Sequence, residues 1–114
     1  MGDFLYLFRG GEASSKFSPE QLQQRMQKWA TWIEGLAKVG KFKSGFPLDG
    51  GAKVVSGKNK LVTDGPFPEA KEVVGGYLIV TARDLNDATD LAKGCPIFDE
   101  GGAVEVRPIM EMRM

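Results

Sequence analysis

Two short segments of the chain are apolar at every position. They are FLYLF at residues 4–8 and YLIV at residues 77–80. Successive side chains of a strand point to opposite faces of a sheet, so such a strand needs an apolar cover on both sides. One layer of helices covers only one face of a sheet. We therefore predict that these segments are central strands, with helices on one face and a second cover on the other.

The region after the first strand carries the signals of a long helix. Ser18 is a favourable N-cap, Pro19 suits the first helical position, and Gln21 completes a capping box. Apolar residues then recur at helical spacing, and Lys38 and Gly40 mark the end of the helix. The residues on this apolar face are Leu22, Met26, Trp29, Ile33 and Leu36.

The rest of the chain completes an α+β pattern. Residues 44–62 predict one strand or a small hairpin, with boundaries that the sequence leaves open, and residues 73–82 predict a strand. Asp84 caps a second helix that extends to about Ala92, and residues 103–114 alternate as a strand with one polar face. The order β-α-β-(hairpin)-β-α-β is typical of the ferredoxin-like fold, an antiparallel sheet with two helices on one face.

The second face of this sheet predicts a homodimer. An exposed apolar face of several hundred square ångströms is unusual in a monomer. Two-fold dimers are the commonest protein assemblies, and a second copy packed sheet against sheet would cover the face. Loops of the same chain are the alternative cover.

Composition excludes several classes of function. Fifteen basic residues balance fifteen acidic ones, so direct binding of nucleic acid or of an anionic membrane is not expected. No apolar run reaches the roughly 20 residues of a membrane span, and no signal-peptide pattern is present. Histidine is absent and Cys95 is the only cysteine, which argues against His-based catalysis, a disulfide and a metal site. We expect one cytoplasmic domain over residues 1–114, without metal or organic cofactor.

Several short motifs together resemble one family. They are YLF (6–8), the helical tryptophans Trp29 and Trp32, TDGPF (63–67), KE (71–72), GGY (75–77) and EVRP (105–108). Their order and spacing are similar to the YCII-related family in its DGPF subgroup, and they cover nearly the whole chain. The resemblance implies a ferredoxin-like fold that assembles into a dimeric α+β barrel.

The resemblance implies no single reaction. Members of the wider superfamily include small isomerases, dehalogenating enzymes and cofactor-free monooxygenases. Some DGPF domains are encoded beside alternative sigma factors or joined to them, which implies a role near transcription. The better-studied branch pairs a histidine on the first helix with an aspartate after the second. This chain has no histidine and carries Cys95 in the aspartate's place, so that pair is not carried over.

The DGPF loop has a structural and a functional interpretation. Asp64 can accept backbone N–H groups in an Asx-type turn, Gly65 permits a positive φ, and Phe67 can fill a gap in the core or the dimer interface. A rigid loop can also hold a carboxylate or an aromatic wall at the mouth of a pocket. In that interpretation Asp64 or Glu72 transfers a proton, because partial burial raises the pKa of a carboxyl group towards the working pH.

Other candidate ligand contacts lie on the first helix and on two strands. Trp29 and Trp32 share a helical face, where core packing is the ordinary role. Trp32 can instead line an apolar pocket together with Tyr77. Glu105 and Arg107 point to the same side of the last strand, as a surface ion pair or, if they face the barrel interior, with Arg107 gripping an anion.

Two functions follow from these residues. The first is a homodimer that binds a small organic molecule between the helices and the sheet and, if catalytic, acts as a cofactor-free isomerase or lyase. The second is a non-enzymatic accessory module that engages a protein partner in transcription control. Cys95 follows a helix end, where the dipole disfavours a thiolate, so we expect a packed side chain. Gly75 and Gly76 indicate close backbone approach or a cavity beside the sheet.

Overall fold

The computed structural model describes residues 1–11, 16–49, 51–65 and 73–111. Its elements form a four-stranded sheet, a helical layer and a separate two-stranded hairpin. In chain order they are β1 (Gly2–Arg9), α1 (Pro19–Lys38), β2 (Phe42–Pro47), β3 (Lys53–Ser56), β4 (Leu61–Asp64), β5 (Val74–Ala82), α2 (Leu85–Ala92), a 3-10 helix (Pro96–Glu100) and β6 (Ala103–Pro108).

The main sheet has the strand order β2-β5-β1-β6, and all of its neighbouring strands are antiparallel. The two strands at its centre, β1 and β5, contain the two wholly apolar segments. The prediction of an α+β ferredoxin-like fold is therefore confirmed, and so is the central position of those segments. The hairpin of β3 and β4 is an insertion between β2 and β5 that pairs with neither of them.

Both helices begin at the predicted caps. Ser18 Oγ accepts a hydrogen bond from the Gln21 N–H at 3.2 Å, and Gln21 Oε1 accepts one from the Ser18 N–H at 2.9 Å. These two bonds close the capping box of α1. At α2, Asp84 Oδ1 accepts the Asp87 N–H at 2.8 Å. Among the described residues no helix is long and apolar enough to span a membrane.

The core lies between the sheet and the helices. Every second residue of β1 and β5 is buried there, and Tyr6 and Val80 are wholly inaccessible. The Tyr6 hydroxyl donates to the Ala88 carbonyl at 2.5 Å, which joins β1 to α2 across the core. The buried residues are Phe4, Tyr6, Phe8, Leu36, Leu78, Val80, Ala82, Ala88, Ala92, Cys95 and Ile97.

The opposite face of the sheet, called the open face below, has an apolar centre and charged edges. The pairing register places Phe46, Tyr77, Leu7 and Glu105 side by side in one row across the four strands. The next row is Ser44, Ile79, Leu5 and Arg107. Both helices contribute to the core on the other face, so the open face is the one for which a second cover is predicted.

The hairpin of β3 and β4, called the arm below (Lys53–Asp64), protrudes from the domain. Every residue of both strands is exposed. The radius of gyration is 15.8 Å, against roughly 13 Å for a compact domain of this length. At the root of the arm the Gly65 N–H donates to the Ala52 carbonyl at 2.7 Å, so the two ends of the arm lie side by side.

Candidate functional site

A solvent-open groove of about 750 Å³ runs between α1 and the segment that follows α2. One wall comes from successive turns of α1, and the other comes from the end of α2 and the start of the 3-10 helix. The lining residues are Gln24, Gln27, Lys28, Thr31 and Trp32 on the first wall, and Lys93, Gly94, Cys95, Pro96, Phe98 and Asp99 on the second.

Trp32 is the rigid part of this groove. Its ring stacks on Tyr6, with 6.2 Å between centroids and 16° between planes. Edge-to-face contacts with Phe8 and Trp29 hold the ring further, with 6.1 Å and 5.9 Å between the ring centroids. Side chains held by core packing in this way keep one geometry, as a ligand-binding group requires.

The indole N–H of Trp32 is a free donor in the groove. No hydrogen bond joins Trp32 to any residue in the described part of the chain, and Nε1 is not among the buried polar atoms. A Cβ atom at Gly94 would lie 3.1 Å from Trp32 Nε1, closer than side chains ordinarily pack. Glycine at position 94 therefore lets the polar edge of the indole lie at the groove wall.

The charged side chains of the groove are two lysines and one aspartate. Lys28 Nζ lies 3.9 Å from Asp99 Oδ2 across the mouth, and both side chains are largely exposed. Lys93 approaches the groove from the other wall and lies 3.1 Å from Asp90. Exposed pairs of this kind are weak and easily exchanged, so the groove offers cationic groups to a ligand.

A second ion pair fixes the wall that carries the 3-10 helix. Arg25 Nε lies 2.6 Å from Glu100 Oε2, and both side chains are mostly shielded from solvent. The guanidinium also lies 5.4 Å from the centre of the Phe17 ring. These residues line a smaller depression of about 220 Å³ that shares Lys28 and Asp99 with the groove. The groove therefore has one wall fixed by aromatic packing and another fixed by a shielded ion pair.

Cys95 has its side chain in the core, below the groove. Burial raises the pKa of its thiol to about 12, and the charge of Glu100 adds to the rise. At neutral pH the thiol is therefore protonated and is a poor nucleophile. The prediction of a packed cysteine at this position is confirmed.

The predicted ligand contacts Tyr77 and Arg107 lie on the open face. Tyr77 contacts the ring of Phe46 at 6.4 Å between centroids. Arg107 Nη1 donates to Glu105 at 3.3 Å, and Arg9 Nε donates to the same carboxylate at 3.0 Å. The hydrogen bond from Arg107 lowers the pKa of Glu105, and the bond from Arg9 lowers it by a smaller amount.

The sheet therefore separates Trp32 from Tyr77 and Arg107. The space where a pocket between helices and sheet is predicted holds the packed rings of Tyr6, Phe8 and Trp29 in the described structure. Gly76 marks close backbone approach, since a Cβ there would lie 3.2 Å from the Phe46 carbonyl oxygen.

The predicted catalytic residue Asp64 lies at the end of the arm and not at the groove. Its side chain is 90% exposed and pairs with Lys53 on the neighbouring strand. Glu72, the second predicted carboxylate, and Phe67 lie outside the described residues. Within the described ranges, no group of three or more acidic or thiol side chains is placed to hold a metal ion.

Several groove residues are absent from the sequence-based candidates. Lys28 and Thr31 lie on the same helical face as the predicted contact Trp32, so their spacing was a usable signal. Their polar character is also that of an ordinary solvated helix surface, which hides the signal. The opposite wall, residues 93–99, follows α1 by more than fifty positions. Only the packing of α2 onto the sheet brings that wall beside α1.

Comparisons with known proteins agree with this fold. Residues 4–113 match the family described as the YCII-related domain. The structure is similar to that of 5-chloro-2-hydroxyhydroquinone dehydrochlorinase (TftG) from Burkholderia phenoliruptrix AC1100 in complex with 2,5-dihydroxybenzoquinone. That likeness has a TM-score of 0.50 and 20% identity, and covers 96% of this chain and 95% of the other. No curated protein matches the chain by sequence.

Proposed function

Since the chain belongs to the YCII-related domain family, we propose that it binds a small planar organic molecule in the groove beside Trp32. The observation that carries this proposal is the free indole N–H of Trp32, held at the groove wall by aromatic stacking and by the absence of a side chain at Gly94. Within the family, the TDGPF motif favours the DGPF subgroup.

The chemistry of the lining favours an oxygenated or anionic ring. The Trp32 N–H can donate to a ring oxygen, and the ammonium groups of Lys28 and Lys93 can approach a negative charge. The groove is open to solvent, so a flat ring would lie against the Trp32 wall and stay partly exposed. The similar dehydrochlorinase was solved with a small oxygenated ring, which supports a ligand of that size.

Catalysis is a further step that needs a proton-moving group. The described carboxylate at the groove is Asp99, which is exposed and lies near Lys28. A cofactor-free isomerisation or elimination through Asp64 or Glu72 stays a prediction. Arg107, the predicted anion anchor of that reaction, lies on the open face and not at the groove. The reaction requires one of these carboxylates to approach the bound ligand, and Asp64 lies at the end of the arm and not at the groove.

The test of the groove is ligand binding measured by calorimetry, with 2,5-dihydroxybenzoquinone as the probe. Trp32→Phe keeps an aromatic ring and removes the N–H, so we expect affinity to fall by about tenfold. Lys28→Gln should also weaken binding of this acidic ring. The matched control is Lys38→Gln, because Lys38 lies on the same helix outside the groove.

Thermal melts of each variant separate local effects from unfolding. Equal affinity of the wild type, Trp32→Phe and Lys28→Gln would contradict the groove as the binding site. Native mass spectrometry of gently purified protein would complement the probe, because a co-purified small molecule identifies the ligand class directly.

We also propose that two copies form a homodimer through their open faces. The centre of that face carries Leu5, Leu7 and Ile79, while ion pairs such as Lys43–Asp3 at 2.8 Å lie at its edge. An apolar centre with a polar rim is the usual anatomy of an interface. Leu7→Lys places a charge at the centre of the sheet, so we expect a monomer in sedimentation velocity. The control is Gln23→Lys, on the exposed side of α1 and outside the groove.

The alternative of an accessory module in transcription control depends on the DGPF loop. Phe67, the residue through which that loop would contact a protein partner, lies outside the described residues. The groove beside Trp32 offers a free N–H donor and two lysine side chains, so ligand binding is the function that we propose first.

A further inference from the structure

Phe98 is an exposed aromatic side chain on the second wall of the groove. It lies in the 3-10 helix and is 46% exposed, whereas its neighbour Ile97 is only 3% exposed. The two side chains therefore point in different directions, since Ile97 packs into the core and Phe98 lines the groove. No other ring contacts Phe98 in the described part of the chain. Its ring is therefore available to a ligand in the groove.

The backbone that carries Phe98 is fixed by hydrogen bonds at the end of the 3-10 helix. The Gly101 N–H donates to the Phe98 carbonyl at 3.2 Å, and the Gly102 N–H donates to the Ile97 carbonyl at 3.1 Å. The shielded ion pair of Glu100 joins the same helix to α1. A side chain on a fixed backbone keeps its position, as a ligand-binding group requires.

Two close approaches between the walls define where Phe98 lies. A Cβ atom at Gly94 would lie 3.1 Å from Trp32 Nε1, and Lys28 Nζ lies 3.9 Å from Asp99 Oδ2. On α1, Trp32 and Lys28 are one turn apart, or about 6 Å along the helix axis. On the other wall, Phe98 follows Gly94 and directly precedes Asp99. Phe98 therefore belongs to the short stretch of the second wall that lies opposite Trp32.

A ring bound beside Trp32 has an outer face for which Phe98 is the matching group. Tyr6 covers one face of the Trp32 ring, so a ligand has the groove side of that ring to lie against. The outer side of the ligand then points towards the second wall, where Phe98 is the aromatic residue among the lining side chains. Aromatic rings attract one another in offset-stacked or edge-to-face arrangements.

We infer that Phe98 is the second aromatic wall of the ligand site, which contacts the outer side of a flat ring held against Trp32. This inference rests on the proposed function and adds the residue that selects among rings. A flat unsaturated ring offers a π face to each wall. A puckered saturated ring offers only C–H groups and is thicker, so it forgoes the aromatic contact on both sides.

The first test is calorimetry of full-length variants with 2,5-dihydroxybenzoquinone as the probe. Phe98→Leu keeps an apolar side chain and removes the ring, so we expect affinity to fall by about three- to tenfold. Phe98→Tyr is the matched control, because it keeps the ring at the same position and should retain the wild-type affinity. Thermal melts verify that both variants are folded. An equal loss of affinity in the two variants would overturn a role for the ring.

NMR of the bound probe gives a readout that a merely structural role would not change. The ring protons of 2,5-dihydroxybenzoquinone should shift upfield on binding, because they lie near the faces of aromatic side chains. We expect a smaller upfield shift with Phe98→Leu at saturation and an unchanged shift with Phe98→Tyr.

Selectivity is measured by displacement of the probe with two acids that carry the same substituents. One is 4-hydroxybenzoate, whose ring is flat, and the other is trans-4-hydroxycyclohexanecarboxylate, whose ring is puckered. The wild type should favour the aromatic acid, and Phe98→Leu should reduce that preference. An aromatic acid that displaces the probe no better than its saturated analogue would overturn the selectivity for flat rings.

The outcomes separate this inference from the proposed function. Absence of probe binding to the wild type, or equal affinity in Trp32→Phe and Lys28→Gln, would overturn the groove as the site and the role of Phe98 with it. Weaker binding in Trp32→Phe together with an unchanged affinity and proton shift in Phe98→Leu would overturn the role of Phe98 alone.

Discussion

The Tyr6 side chain connects three parts of the molecule. Its ring stacks on Trp32 at the groove, and its hydroxyl donates to the Ala88 carbonyl of α2. Because α2 has only eight residues, it depends on such tertiary contacts more than on its own helix propensity. Burial, with the charge of Asp87 as a second cause, raises the pKa of Tyr6 to about 12.

We predict that the protein loses stability at alkaline pH through Tyr6 and Cys95. Their ordinary pKa values are 10.0 and 9.0, and both rise to about 12 on folding. The folded state therefore holds protons that the unfolded chain releases. The free energy of unfolding is unaffected by these groups below pH 9 and decreases as the pH rises above that value. By pH 11 the decrease should reach at least about 1 kcal/mol in urea titrations.

Two variants assign this pH dependence. Tyr6→Phe and Cys95→Ala each remove one titrating group, so each should reduce the slope between pH 9 and 11. At pH 7 Tyr6→Phe should also cost about 0.5–1.5 kcal/mol, because the hydrogen bond from the Tyr6 hydroxyl to the Ala88 carbonyl is lost. A slope that is the same in both variants and the wild type would contradict the assignment.

At the scale of elements, the edge strand β2 is held against β5 at a glycine. A Cβ atom at Gly45 would overlap the Tyr77 carbonyl oxygen and the Leu78 side chain. Because the first of these is backbone, the strand cannot yield by turning a side chain. Gly45 thus determines how closely the edge strand approaches the centre of the sheet.

We predict opposite effects for alanine at two glycines. Gly45→Ala should destabilise the protein by more than about 2 kcal/mol, as overpacking against backbone does. Gly35→Ala lies on the exposed side of α1 with nothing within 4 Å of its Cβ, so it should stabilise by up to about 1 kcal/mol. Urea denaturation measures both changes. An unchanged free energy of unfolding in Gly45→Ala would show that β2 can move away from β5 without loss of stability.

The parts of the fold with local signals could be predicted from the sequence. The cap at Ser18 and the apolar spacing of α1 are local, and the strands β1 and β5 are recognisable because every residue is apolar. The separation of β2 from the arm could not be predicted. Pairing of β2 with β5 uses backbone hydrogen bonds and a glycine contact at Gly45, neither of which has a residue pattern that distinguishes it from a hairpin strand.

The candidate site was predictable only in part. Trp32 could be named because a helical spacing places it beside Trp29, but the spacing does not say which residues cover its outer edge. The outer edge of the Trp32 ring lies beside Gly94, which the packing of α2 on the sheet places there. Tyr77 and Arg107 could be assigned to strands, yet the side of the sheet that the helices cover depends on the whole register.

At the scale of the whole molecule, a homodimer makes stability depend on protein concentration. If folded chains associate through their open faces, the melting temperature should rise as the concentration increases from about 1 to 100 μM, by mass action. The Leu7→Lys variant should melt at one temperature throughout this range. Differential scanning fluorimetry at several concentrations measures both. A wild-type melting temperature that is independent of concentration would contradict dimer formation in this range.

The root of the arm has a consequence for the evolution and engineering of this domain. Ala52 and Gly65 are joined by a backbone hydrogen bond of 2.7 Å, and the arm pairs with no strand of the main sheet. A segment whose two ends meet can be lengthened, shortened or exchanged without moving its host, because loop closure has little dependence on length. This position is therefore a natural graft point, at which a foreign hairpin or peptide could be displayed.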